Sequence, residues 1–317
     1  MKKTTKKIVL ISSIIATALI VTHFINKFIF YITTCKEHLF SPHSHHYTWR
    51  FGKIYYTKKG KGPALLLVHD LDNTSSHYEW LAMVDKLAEN HTVYTIDLIG
   101  CGYSEKPKFI YTNYLYVQLL SDFIKDVIGE STSIVCSRNS CSVGVMTSYI
   151  HSELINHIVL INPRDTITTS TYPSRKHKFL RAILNTPIIG TLIYNIKNSR
   201  YQLYKTFNND YLSSRKSVRK YVKAYSEAAH TSGSSSLYVY SSIRCHYTSA
   251  SIMHALTGLT NPITILEGSD CGNAQHIIKE YESLNPNVKS VLLPNAKELP
   301  QIEHPDQIIS LINTYTR

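Results

Sequence analysis

The chain opens with one long apolar stretch and then changes to short buried-strand and amphipathic-helix patterns. Residues 8–25, IVLISSIIATALIVTHFI, carry no Asp, Glu, Lys or Arg and follow Lys2, Lys3, Lys6 and Lys7. Eighteen such residues reach the short end of what a bilayer requires of a helix. Ala16 and Ala18 come too early for a signal-peptide exit site, and the run continues into Phe28, Ile29 and Phe30. The pattern therefore predicts a retained N-terminal anchor over residues 1–30. Residues 31–47 follow as a juxtamembrane linker; its His43, His45 and His46 read as a polar spacer rather than metal ligands. Lysines crowd the N-terminal flank, which puts the N-terminus in the cytoplasm and the folded part outside it, as a single-pass cell-membrane protein.

Beyond the linker, TWRFGKIYYTK (48–58) alternates like an edge strand, with a hairpin turn at Lys59-Gly60-Lys61-Gly62. Residues 64–68, ALLLV, form an unbroken apolar run, as expected of a strand buried on both faces. Further buried strands are predicted at 92–96, 133–136, 157–161 and 262–266, and a last one beginning the stretch 291–305. Helices are predicted at 77–89, with Trp80, Val84 and Leu87 on one face, and at 112–128, with Leu115, Leu119, Phe123 and Val127. Alternating strands and helices predict an α/β fold: a mostly parallel sheet with helices on both faces. Between Pro163 and Pro262 the alternation stops. Helices at 176–196 and 215–229 appear there without a following strand, which predicts a helical cap over residues 164–255. The core would then comprise residues 48–163 and 256–317.

Charge sharpens this picture. The net charge of the 317 residues is +12, and residues 164–250 alone hold fourteen basic and three acidic side chains. A basic cap on a membrane-tethered domain suits anionic lipid or an anionic polymer. No zinc-finger, RNP-like or basic-zipper pattern accompanies the charge, so nucleic acid is not an expected partner. The six cysteines are dispersed, and Cys101, Cys136 and Cys141 fall in predicted core elements, which excludes a disulfide framework as the reading. No metal-ligand spacing occurs, and no cofactor is implied.

Two segments carry the candidate chemistry. ALLLVHDLDNTSSHYEW and TVYTIDLIGCGYSEKP, within residues 64–107, look like a strand with its His-Gly-type loop and the next strand with an Asp-x-x-Gly-x-Gly-x-Ser turn. Asp97, Gly100, Gly102, Ser104 and Pro107 fall in register, and IVLINP (158–163) matches the strand after a nucleophile helix. Together these pieces resemble the α/β-hydrolase fold, over about residues 50–316.

That resemblance implies a serine nucleophile on a strand-to-helix turn, a histidine base, an acid and two backbone oxyanion donors. SIVCSRNSCSVGVM (133–146) offers Ser140 as nucleophile, with Arg138 and Ser142 at the glycine positions; a one-residue shift would put Asn139 at the tip. The oxyanion donors would be the N–H groups of Leu71 and Cys141, with Asp70 replacing the usual glycine. In NPITILEGSDC the acid position falls on Cys271, leaving Asp270 one residue early and Glu267 in the strand. In VLLPNAKELPQIEHP the histidine position holds Glu298. His304, His230 and His246 are the substitute bases. Two functions follow: a membrane-anchored serine hydrolase of a small ester or amide acting through Ser140, or a degenerate homologue that binds a ligand or partner through its cleft and basic cap.

Overall fold

The computed structural model describes residues 3–36, 38–39, 41–213 and 218–316. Helix α1 (Lys3–Thr34) is followed by strands β1 (Ser44–Trp49), β2 (Gly52–Lys59) and β3 (Ala64–Val68). Then come α2 (Val84–Leu87), β4 (Thr92–Ile96), α3 (Asn113–Phe123), β5 (Thr132–Ser137), α4 (Cys141–Ile150) and β6 (Ile155–Ile161). Among the described residues, seven α-helices lie between β6 and the next strand: α5 (Thr166–Thr169), α6 (Arg175–Leu184), α7 (Ile189–Lys197), α8 (Arg200–Thr206), α9 (Val218–His230), α10 (Ser236–Arg244) and α11 (Met253–Gly258). The chain ends with β7 (Ile263–Gly268), α12 (Ala274–Leu284), β8 (Val288–Leu293), α13 (Pro300–Glu303) and α14 (Pro305–Tyr315).

One eight-stranded sheet runs in the order β1-β2-β4-β3-β5-β6-β7-β8. The β1–β2 and β2–β4 pairs are antiparallel and all others parallel. The expected α/β architecture is therefore present, with two local corrections. The stretch read as one edge strand is two, β1 and β2, turning at Arg50-Phe51. Gly60 and Gly62 do not close a hairpin, because β2 pairs with β4 and not with β3. His45 and His46 belong to β1, where they pack on Tyr56 and Tyr55.

Period-two alternation in β3 divides the core. Leu66 and Val68 face a large cluster with Tyr116, Leu120 and Phe123 of α3, while Leu65 and Leu67 face Trp80, Ile308 and Ile312. The turn after β4 is tied by Asp97, which accepts hydrogen bonds from the N–H groups of His77 (2.6 Å) and Tyr103 (2.8 Å). Gly102 is required there: its φ is +48° and a Cβ would lie 2.1 Å from Asp97 Oδ2.

The helix expected over 176–196 is broken into α6 and α7, bent by 96° at a segment containing Pro187. The helix expected over 215–229 is seen as α9; residues 215–217 lie outside the described residues, as does Lys2. Helix α1 is exposed along residues 4–25 apart from a half-buried Thr22, and long and apolar enough to cross a membrane. Its last turns are docked onto the helical insertion. Asn26 is buried, donates to Ile188 O (3.1 Å) and accepts from Asn195 Nδ2 (2.9 Å). Phe30 packs on Tyr194 and His230.

Candidate functional site: an arginine at the nucleophile elbow

Strand β5 ends at Ser137, and the next residue, Arg138, has φ +51° before the chain turns into α4. A residue forced into this conformation between strand and helix is the tip of a nucleophile elbow. Arg138, not Ser140, therefore occupies the nucleophile's place. The small residues that let such a turn pack are Cys136 and Ser140, two positions to either side. Gly144, on the facing turn of α4, would put a Cβ 2.6 Å from Cys136 Sγ.

Ser140 is sealed inside the turn. It is fully buried, donates to Ser137 O (2.8 Å) and accepts from the Ser137 N–H (3.1 Å). Its hydroxyl staples the elbow and does not reach the cleft. The expected donor Cys141 is likewise committed: its N–H bonds Arg138 O within the helical turn, and its thiol is buried against Cys136 O. Leu71 does line the cleft.

With Arg138 at the tip, the N–H following it, that of Asn139, holds the oxyanion-donor position. It donates to Asp70 Oδ1 at 3.0 Å, and Asn139 Nδ2 donates to the same oxygen at 2.9 Å. A carboxylate of the chain thus fills the place of an oxyanion. Asp70 is 2% exposed, and its second oxygen lies 3.3 Å from Arg138 Nε. Burial raises the Asp70 pKa and the Arg138 charge pulls it down.

Glu298 holds the histidine position, as expected from sequence, and bridges two guanidiniums. Its Oε2 lies 3.5 Å from Nη1 of both Arg138 and Arg164. Arg138 also sits over the Tyr211 ring, 4.4 Å from its centroid. Burial disfavours the Arg138 charge, but Tyr211, Asp70 and Glu298 outweigh it and hold its pKa above the ordinary value. Cys271, at the acid position, is half-buried, and burial with the nearby Glu298 charge pushes its thiol up to about 12. Asp270, the expected acid, is exposed and accepts from Ser213 Oγ (3.3 Å) and Ser269 Oγ (2.9 Å), outside the cavity that Arg138 lines. Glu267 is buried, and burial with Glu298 raises its pKa to about 9, so it stays protonated at neutral pH.

None of the substitute bases meets Ser140. His304 bonds Asn295 O (3.0 Å) at the surface. His230 is buried between Phe30 and Tyr194 with Nδ1 on Ser226 O. His246 lines the cavity, packed on His177. The Ser140, Asp270 and Glu298 of the sequence reading are therefore not brought together.

The cavity beside the elbow has a volume of about 410 Å³. Arg138, Arg164, Arg244 and His246 line it against the single carboxylate of Asp72, with hydroxyls from Ser142, Thr168, Thr169, Thr248 and Ser249. Although ion-paired, Arg138 makes no hydrogen bond through Nε or Nη1. These arginines came from three distant stretches of sequence; the only local signal was that Cys136 and Ser140 bracket Arg138 as small residues.

A further carboxyl, Glu79, lies under the elbow. It accepts from Gln301 Nε2 (2.7 Å), Tyr225 Oη (3.2 Å) and the Asp70 N–H (3.2 Å), and Gln301 also reaches Ser137 Oγ (3.0 Å). Burial, then the Asp70 charge, raises its pKa to about 7 from an ordinary 4.5. The folded state therefore binds this proton more tightly than the unfolded chain does. The stability it contributes is complete below the unfolded pKa and is lost as pH rises through about 7. The unfolding midpoint is expected to fall as pH rises from about 5 to about 8, and Glu79→Gln to flatten that slope. Thermal melts of both proteins across this range check it; identical slopes would remove Glu79 from the account.

The sheet order, the elbow after β5, the Asp97 turn and the helical insertion after β6 are those of the α/β-hydrolase fold, and this protein has that fold. No protein-family model matches the chain. Over 132 residues, 41% of its length, it is 30% identical to 2-hydroxy-6-oxo-6-(2'-aminophenyl)hexa-2,4-dienoic acid hydrolase of Metapseudomonas resinovorans, covering 43% of that enzyme. It is 27% identical over 126 residues to cis-3-alkyl-4-alkyloxetan-2-one decarboxylase of Shewanella oneidensis, 38% of this chain and 39% of that one. The chain spans less than half the length of these curated relatives. Among solved structures, a bacterial membrane phospholipase A superposes with a TM-score of 0.68 at 17% identity, over 99% of this chain and 97% of that one. The enol-lactonase of Burkholderia xenovorans LB400 superposes with a TM-score of 0.68 at 14% identity, over 85% and 98%. These sequence relatives and structural neighbours are α/β-hydrolase-fold enzymes.

Proposed function

We propose that this protein is a membrane-tethered α/β-hydrolase-fold protein that binds a small anionic ligand and does not hydrolyse esters or amides. The observation that carries the reading is Arg138 at the elbow. A guanidinium cannot serve as the nucleophile, and Glu298 and Asp70 hold it as an ion pair where a serine and its oxyanion would act. Helix α1 is the tether, with its lysine-rich end in the cytoplasm and the folded domain outside. The insertion caps the cleft.

The ligand class follows from the cavity wall. Arg138, Arg164 and Arg244 line one cavity; guanidiniums gathered on one wall suit a carboxylate or phosphate ester, and the ring of hydroxyls suits its polar neighbours. The full chain in detergent is expected to melt at higher temperature with an organic carboxylate or phosphate ester, but not with the corresponding neutral alcohol. At a hundredfold excess over Kd the stabilisation would be about 2.7 kcal/mol. Arg164→Gln should remove it. Equal stabilisation by the neutral compound, or none lost in Arg164→Gln, would contradict the reading.

A second reading, hydrolysis, is favoured by the relatives, among them a named hydrolase 30% identical over 132 residues. It requires turnover through a group other than a serine at the elbow, and steady ester hydrolysis by the purified chain would support it.

A further inference from the structure

The helical insertion presents an apolar surface that no other part of the described chain covers. On α6, Phe179, Leu180 and Ile183 are 70%, 41% and 36% exposed; on α7, Ile189 and Ile196 are 55% and 54% exposed. Ile189 and Ile196 are seven positions apart and so share one face of α7. The residues beside them, Gly190, Thr191, Tyr194 and Asn195, are buried. Helix α7 is thus apolar on its outer face and committed to the protein through its inner one.

The position of this surface is fixed by α1. The contact between the two helices is made at Asn26, which hydrogen-bonds both Ile188 O and Asn195. Asn26 is the residue directly after the apolar run 8–25. At about 1.5 Å per residue those eighteen residues extend about 27 Å, close to the thickness of a bilayer's hydrocarbon core. If α1 spans, Asn26 and Lys27 stand at the headgroup level, and α7 is held there by direct bonds. Exposed basic side chains accompany the apolar face: Arg175, Lys176 and Lys178 on α6, Lys197 at the end of α7 and Arg200 at the start of α8. From 164 to 210 the only acidic residues are Asp165 and Asp210.

We infer that the α6–α7 face lies on the lipid surface beside the tether. Phe179, Leu180, Ile183, Ile189 and Ile196 enter the boundary between headgroups and acyl chains, and the basic residues meet anionic headgroups. An apolar face flanked by lysine and arginine is how interfacial helices bind a bilayer, and each basic residue near an anionic surface adds to the attraction. The domain is then held by two attachments, one spanning and one lying flat, with its orientation fixed relative to the membrane. This inference rests on α1 being a membrane span.

The test uses the full chain reconstituted into vesicles of phosphatidylcholine and phosphatidylglycerol, a share of the lipid brominated on its acyl chains. Tryptophans are introduced one at a time, at Leu19→Trp in α1, at Phe179→Trp and Ile189→Trp on the proposed face, and at Leu292→Trp on the exposed β8. Each is read as the difference from the parent chain, whose own Trp49 and Trp80 are buried. Bromine quenches only tryptophans that reach the acyl region. Quenching at 19, 179 and 189 and none at 292 is the expected result. Replacing the phosphatidylglycerol by phosphatidylcholine should reduce it at 179 and 189 and leave it at 19. Quenching at 19 without quenching at 179 and 189 overturns the docking proposal while keeping the tether. No quenching at 19 overturns the tether itself. Equal quenching at 292 shows contact without orientation and also overturns the proposal.

Discussion

Arg138→Met is expected to destabilise the protein by about 3–5 kcal/mol, the cost of leaving one member of a buried ion pair without its partner. Asp70 is 2% exposed and Arg138 5% exposed, so water cannot replace the lost guanidinium. The Asn139 donors to Asp70 remain, but they do not neutralise it. The backbone strain at φ +51° is common to both residues and cancels in the comparison. Urea unfolding of the detergent-solubilised chain measures the effect. The double variant Arg138→Met, Asp70→Asn should recover much of the loss, because a neutral amide keeps the hydrogen bonds and removes the stranded charge. An Arg138→Met protein as stable as wild type would mean that the elbow pair is not a structural ion pair.

The largest functional effect expected is an absence of triad turnover. Losing the serine or histidine of a hydrolase triad costs about a million-fold in kcat. Here the elbow carries Arg138, the histidine position Glu298 and the acid position Cys271. Asp70 also occupies the Asn139 N–H, so one of the donors that would stabilise an oxyanion, often the largest single catalytic contribution, is already taken. Activated aryl esters should be hydrolysed at the buffer rate, and Ser140→Ala should leave that rate unchanged. Turnover well above buffer that falls on Ser140→Ala would require the elbow to rearrange.

Most of the sheet was legible because buried parallel strands are short apolar runs between turn signals, as in ALLLV and IVLI. Asp97, Gly100, Gly102 and Ser104 were legible because their turn admits few other residues. The α6–α7 break at Pro187 was less visible, since the apolar spacing continues across it. The register of the elbow was misread for a chemical reason. A hydrolase nucleophile is expected on a hydroxyl, and Ser140 offered one in the turn with small residues, Cys141 and Ser142, behind it. Steric requirements point elsewhere: small residues must bracket the tip, and Cys136 and Ser140 bracket Arg138. The pairing of Arg138 with Asp70 and Glu298, and the convergence of Arg164 and Arg244 on one cavity, join segments far apart in the chain. No local pattern records such contacts. The long apolar helix α1 was legible from composition, whereas its docking through Asn26 and Phe30 depends on tertiary structure alone.

The central claim, that the elbow carries an arginine ion pair instead of an activated serine, is tested most directly by fluorophosphonate labelling. The full chain, folded in detergent or nanodiscs, is treated with the reagent and examined by intact mass and peptide mapping, with Ser140→Ala alongside. The account predicts no adduct on the wild-type protein under conditions that label an active serine hydrolase completely. A stoichiometric adduct on Ser140, absent from Ser140→Ala, would contradict it.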